Sequence, residues 1–116
     1  MGTVHQRHQR HELGAVTFRS AILLGIGDDD TVDAVADDEF DSEQAARGWV
    51  EQRLPHAAFP EWVARRRHGT ASAFLFGQVQ RGYYSGENDE DWELDHDAAG
   101  WDADLVDGVV RWRAGV

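Results

Sequence analysis

The longest run of extended character lies at residues 71–84, Ala-Ser-Ala-Phe-Leu-Phe-Gly-Gln-Val-Gln-Arg-Gly-Tyr-Tyr, which contains no proline and no acid. Aromatic and apolar side chains of this kind suit a pleated, half-buried surface. Consecutive apolar positions in the first half point to cover on both faces, and Gln78, Gln80 and Arg81 turn the second half polar on one side. The pattern predicts the central strand of a sheet. A second strand is predicted over residues 14–26, where Val16 and Phe18 alternate with polar neighbours before the apolar run Ala21-Ile22-Leu23-Leu24. Gly25-Ile26-Gly27 reads as the end of that strand. A phosphate loop would need a helix amino terminus next, whereas Asp28-Asp29-Asp30 follows and would repel a phosphate. Inside the acidic connection 28–39, Thr31-Val32 and Ala34-Val35 leave room for a short edge strand.

The helical period appears next. Ala45, Ala46, Trp49, Val50, Arg53 and Leu54 recur at helical spacing, so one face should bury Trp49 and Leu54 against the sheet. Asp41 is placed to be the N-cap, with Gln44 closing a capping box and Phe40 and Ala45 as a hydrophobic staple. Pro55 should end the helix. Residues 56–69 suggest a shorter second helix with Pro60 in its first turn, Phe59, Trp62 and Val63 as its packing side, and Gly69 as its C-cap. Further on, Trp92 and Leu94 alternate with acids, Ala98-Ala99-Gly100 breaks the pattern, and Asp107-Gly108 is a strong hairpin signal. In that hairpin Val106 should pair with Val109, and Leu105 should share a face with Trp112. The sum is an α+β fold: an antiparallel β-sheet of about four to five strands with one or two helices packed on one face.

Residues 1–12 contain the repeat His5-Gln6-Arg7-His8-Gln9-Arg10-His11 and almost nothing apolar. They are expected to form a disordered His/Arg-rich tail, able to hold a metal only as loosely as a tag does, ahead of a single domain over residues 13–116. The formal charge is −11, and every one of the 11 basic residues is arginine. The arginine bias, with abundant alanine, glycine and valine, has the look of a high-GC bacterial or phage coding sequence. The charge is segregated: residues 28–43 hold nine acids and no arginine, residues 87–107 hold ten and none, and residues 47–81 hold six arginines against two acids. A field of this sign repels phosphate backbones and anionic lipid, so neither direct nucleic-acid binding nor a membrane partner is expected. With no cysteine there is no disulfide, thiolate-zinc site or thiol nucleophile, which fits a cytoplasmic chain.

Candidate chemistry adds little. Asp95, Asp97 and Gly100 fall at positions of a calcium loop, but Ala99 and Val106 stand where further ligands belong, so no metal site and no cofactor is expected. No nucleophile elbow, zinc-protease helix or phosphate-loop sequence occurs, and the histidines outside the tail, His56, His68 and His96, lie at loop or helix-end positions. Carboxylates are too numerous for any pair to be singled out as acid and base. Trp92, Trp101 and Trp112 would suit a stacking platform, yet the acids around them favour core packing or a protein interface. The expected function is therefore a small acidic protein-interaction or regulatory domain that binds a basic partner surface, a DNA-mimic inhibitor being its sharpest form. The expected partner-binding residues are Asp28, Asp29, Asp30, Glu87, Asp89, Glu90, Asp91, Trp92 and Trp101. A homodimer through Arg65-Arg66-Arg67 and an acidic segment is compatible with the charge pattern. The alternatives are a small enzyme or ligand-binding domain with a pocket between helix and sheet, and an accessory structural subunit.

Overall fold

The computed structural model describes residues 11–26, 31–65, 73–98 and 100–114. In chain order they form β1 (Val16–Ile26), β2 (Thr31–Phe40), α1 (Glu43–Arg53) running into a 3₁₀ turn (Leu54–His56), α2 (Glu61–Arg65) and β3 (Ala73–Tyr84). A second 3₁₀ turn (Asp89–Asp91), β4 (Trp92–Leu94), β5 (Trp101–Val106) and β6 (Val109–Ala114) complete the described chain. The strands make one six-stranded sheet in the order β2-β1-β3-β5-β6, with β4 also paired to β3. Every pairing is antiparallel. The expected central strand is thus central, and the fold is mostly antiparallel sheet with one main helix.

The sheet has six strands rather than the four to five expected. The acidic connection forms ten-residue β2, paired with β1 from Phe18↔Phe40 to Ile26↔Thr31. Acids are poor strand formers where neighbours crowd them, but on an outer edge their carboxylates stay in water, and Val32 and Val35 supply the strand preference. The register shifts once, between Ile22 and Leu23, where Val35 forms a bulge.

Packing follows from the alternation of β1. Ser20, Ile22, Leu24 and Ile26 are buried, while Thr17, Arg19, Ala21 and Leu23 belong to the opposite face. α1 covers the first face. Ala46, Val50 and Leu54 pack with Ile22, Val79 and Ala103, and Phe18, Trp49, Trp101 and Trp112 ring this core. Gly77 lets the helix approach: a Cβ there would come within 2.4 Å of Val50 Cγ1. Ser20, fully buried, donates to the Ala46 carbonyl at 2.8 Å and so joins sheet to helix.

Local details depart from expectation in three places. The N-cap of α1 is Ser42, whose hydroxyl accepts from the Ala45 amide at 3.1 Å, one residue later than Asp41. That shift removes the Phe40–Ala45 staple, and Phe40 instead packs on Trp49 at 6.3 Å between ring centroids. The α-helix does end before Pro55, with Leu54 as its C-cap, and the chain tightens there into a 3₁₀ turn that buries Leu54. In α2 Val63 is buried, yet Phe59 is half exposed and is not part of the packing side. Residues 66–69, with Arg66, Arg67, His68 and Gly69, lie outside the described residues. The β5–β6 hairpin is as expected: Val106 pairs with Val109, and Asp107 and Gly108 both take positive φ, 54° and 80°. No described helix is long and apolar enough to cross a membrane.

Candidate functional site

The helix-free face of the sheet carries a connected polar network at the end where β4 joins. Trp92 lies flat over Gly82 and donates from its indole to Thr17 Oγ1 at 2.9 Å. Thr17 in turn donates to Glu39 Oε2 at 2.6 Å, and the Tyr84 hydroxyl donates to the same oxygen at 2.6 Å. Arg19 completes the set, with its Nε 3.4 Å from Glu39 Oε1 and its guanidinium 4.2 Å above the Trp92 ring. On the other side of Tyr84 the His11 ring stacks at 3.8 Å, and His11 Nε2 meets the Asp89 carboxylate. His11, at the end of the expected tail, therefore belongs to this packing, while residues 1–10 lie outside the described residues.

The network ties edge strand β2 through Glu39 to β1 and β3. Its groups are satisfied by one another, and no buried side-chain polar atom among the described residues lacks a partner. Burial, and then the hydrogen bond to Glu39, push the Tyr84 phenol above its ordinary value, with Arg19 acting the other way. A raised folded-state value means the native chain keeps a proton that the unfolded chain releases. The stabilisation is full below about pH 10 and is lost as pH rises through the folded value. The urea midpoint should accordingly fall on the alkaline side of about pH 10, and less steeply in Tyr84→Phe. Tyr83, raised chiefly by the charge of Glu93, remains in that variant but is exposed and screened. Parallel alkaline declines in the two proteins would remove Tyr84 from this account.

Of the expected partner-binding residues, Asp28, Asp29 and Asp30 lie outside the described residues. Glu87, Asp89, Glu90, Asp91 and Trp92 do come together. Asp91 is spent on a local cap, its carboxylate accepting from the Asn88 amide at 3.0 Å, and Asp89 meets His11. Glu87 and Glu90 are exposed and have no ion pair among the described residues. Trp92 and Trp101 sit on opposite faces: Trp101 is half-buried on the helix side, 6.5 Å from Phe18 between ring centroids. Elsewhere in the second acidic run, Asp95 pairs with Arg81, while Asp102 and Asp104 face Arg113.

β2 is different. Asp33, Asp37 and Asp38 are exposed, and no arginine pairs with any of them among the described residues. Val32 and Val35 are exposed beside them, at 53% and 37%. The outer edge of the strand is unpaired among the described residues, since β2 ends the sheet. Beside it, between β2 and the end of α1, runs a groove of about 410 Å³ lined by Ile22, Val35, Ala36, Gln52, Arg53, His56 and Ala57. These three aspartates were within the acidic run legible in the sequence, but only a ten-residue strand in that run sets them along one edge.

Features that would carry catalysis are sparse. His56 is exposed in the groove, whose lining has no carboxylate to orient or relay from it, and His96 is exposed on the β4–β5 loop. Asp95, the first position of the calcium-loop pattern, is held by Arg81 and by the Asp97 amide. Among the described residues no three His, Asp or Glu side chains gather as a metal-binding set. A shallow trough of about 530 Å³ on the helix-free face is bordered by Arg19, Asp37, Glu39, Gln78 and Gln80, with Ala21 and Leu23 at its floor. No family model matches the chain, and no curated protein or solved structure is significantly similar to it.

Proposed function

We propose that this chain is a small protein-interaction domain that binds a partner with a basic surface. The observation that carries the reading is β2: an outer strand whose exposed Asp33, Asp37 and Asp38 have no arginine partner among the described residues, in a protein that pairs several of its other carboxylates internally. Unpaired like charges held along one edge repel one another, and a cationic partner relieves that repulsion while being steered toward it. Glu87 and Glu90 extend the negative field at the far side of the sheet. A DNA mimic would need its carboxylates in one ridge. Here the acids of β2 and those near β4 are separated by β1 and β3, with Arg19 on the intervening face, which favours a basic protein surface over the role of a nucleic-acid decoy.

The test is fluorescence anisotropy with a short arginine-rich peptide and its glutamine counterpart. The wild type should bind the basic peptide, bind it less as salt is raised, and ignore the neutral one. The variant Asp33→Asn, Asp37→Asn, Asp38→Asn should bind at least about tenfold more weakly while melting at the wild-type temperature. Equal binding by the wild type and this variant would rule β2 out as the site.

A further inference from the structure

Resting on that reading, we infer that the partner is taken as an extended segment that adds to the sheet along the outer edge of β2, with alternate apolar side chains in the groove beside α1. In an antiparallel strand every second residue turns its N–H and C=O away from its neighbour. β2, ten residues long and last in the sheet among the described residues, therefore offers a row of outward main-chain donors and acceptors that a further strand would satisfy in register.

The two sides of the added strand would meet different chemistry. On the helix side, Ala36 lies opposite Ile22, and Val35, Ala36, Ile22 and Ala57 present an apolar floor, flanked along β2 by Asp38 opposite Ser20 and Asp33 opposite Leu24. Arg53 stands at that groove, 5.1 Å above the Trp49 ring, so a cation there would meet its own sign. On the other face Asp37 lies opposite Ala21. An extended segment whose middle alternates an apolar residue with arginine or lysine, and which carries further cations at its ends, matches both sides: apolar side chains enter the groove, cations between them reach Asp37, and the end cations reach Asp33 and Asp38. A second copy of this chain fits worse, because two β2 edges would set aspartates against aspartates.

The probe is a capped peptide alternating arginine with valine, with an arginine pair at each end and matched in length to β2, and the same peptide with every backbone nitrogen methylated. The methylated form keeps every charge and side chain but cannot complete the ladder. The unmodified peptide should bind at least about tenfold more tightly, since the methylated form loses the ladder hydrogen bonds while keeping the charges. Hydrogen exchange of the complex should slow at alternate amides of β2. If both peptides bind alike, or protection appears elsewhere, strand addition is wrong although a basic partner is still bound. If neither peptide binds, the basic-partner reading falls with it.

Discussion

Replacing Gly82 by valine should cost about 3 kcal/mol and lower the melting temperature by about 10 °C or more. A Cβ at this position would stand 2.1 Å from Trp92 Cζ2 and 2.5 Å from the Glu93 carbonyl oxygen. The ring could swing away, but the carbonyl is backbone, held where Gly82 faces Leu94 and Tyr83 faces Glu93. Relief therefore requires β4 to leave β3. That movement also breaks the Trp92–Thr17 hydrogen bond and uncovers Arg19. The cost adds overpacking to at least one lost, partly buried hydrogen bond. Tryptophan emission should shift to the red as Trp92 becomes wet. The same logic makes Gly48→Ala a control of opposite sign. A Cβ there meets nothing within 4 Å, and alanine is the better helix former by about 1 kcal/mol, so that variant should melt higher. A Gly82→Val protein with wild-type stability and emission would show that Trp92 does not cover Gly82.

Truncating Leu54 to alanine should cost about 3 kcal/mol, within the 2–5 kcal/mol typical of buried leucines. Leu54 is 1% exposed and belongs to the central cluster, although it sits in a 3₁₀ turn beyond the helix proper. Its amide still bonds to the Val50 carbonyl, and the Ala57 amide returns to the Leu54 carbonyl at 3.2 Å, so the backbone is pinned and cannot collapse to fill the space. The cavity term therefore adds to the transfer term. For a domain with stability on the order of 5–15 kcal/mol this is a large fraction. Urea unfolding should show a lower midpoint with an unchanged slope, whereas Val109→Ala, at a position 56% exposed in the terminal hairpin, should change the midpoint little. A Leu54→Ala loss below about 1 kcal/mol would mean that the turn after α1 is not part of the core.

Both substitutions bear on the binding surface indirectly. Leu54 anchors the end of α1 that forms one wall of the groove, and Gly82 lies under the Trp92–Thr17–Glu39 network that holds the end of β2. Binding should be compared with stability in each, so that loss through unfolding is kept apart from loss of the surface itself.

Patterns confined to a few neighbouring residues were legible in the sequence. Apolar continuity marked β1 and β3, helical spacing marked α1, and Asp107-Gly108 marked the hairpin, because each depends on local conformational preference or on which side chains can leave water. The N-cap was missed by one residue because Asp41 and Ser42 are both competent, and the choice depends on where the chain leaves β2. What the tertiary structure decided was the fate of the charge. Alternation cannot say whether an acid-rich segment is a loop or an edge strand: both keep carboxylates in water, and only pairing with β1 selects the strand. Nor can sequence distance place Arg81 beside Asp95, or Arg113 beside Asp102 and Asp104, which neutralises part of one acidic run and, among the described residues, leaves Asp33, Asp37 and Asp38 without an arginine. Composition determined that the chain is strongly negative. Strand order determined where that negative charge is left free, because ion pairing acts through space over a few ångströms and the sheet alone sets which residues come that close.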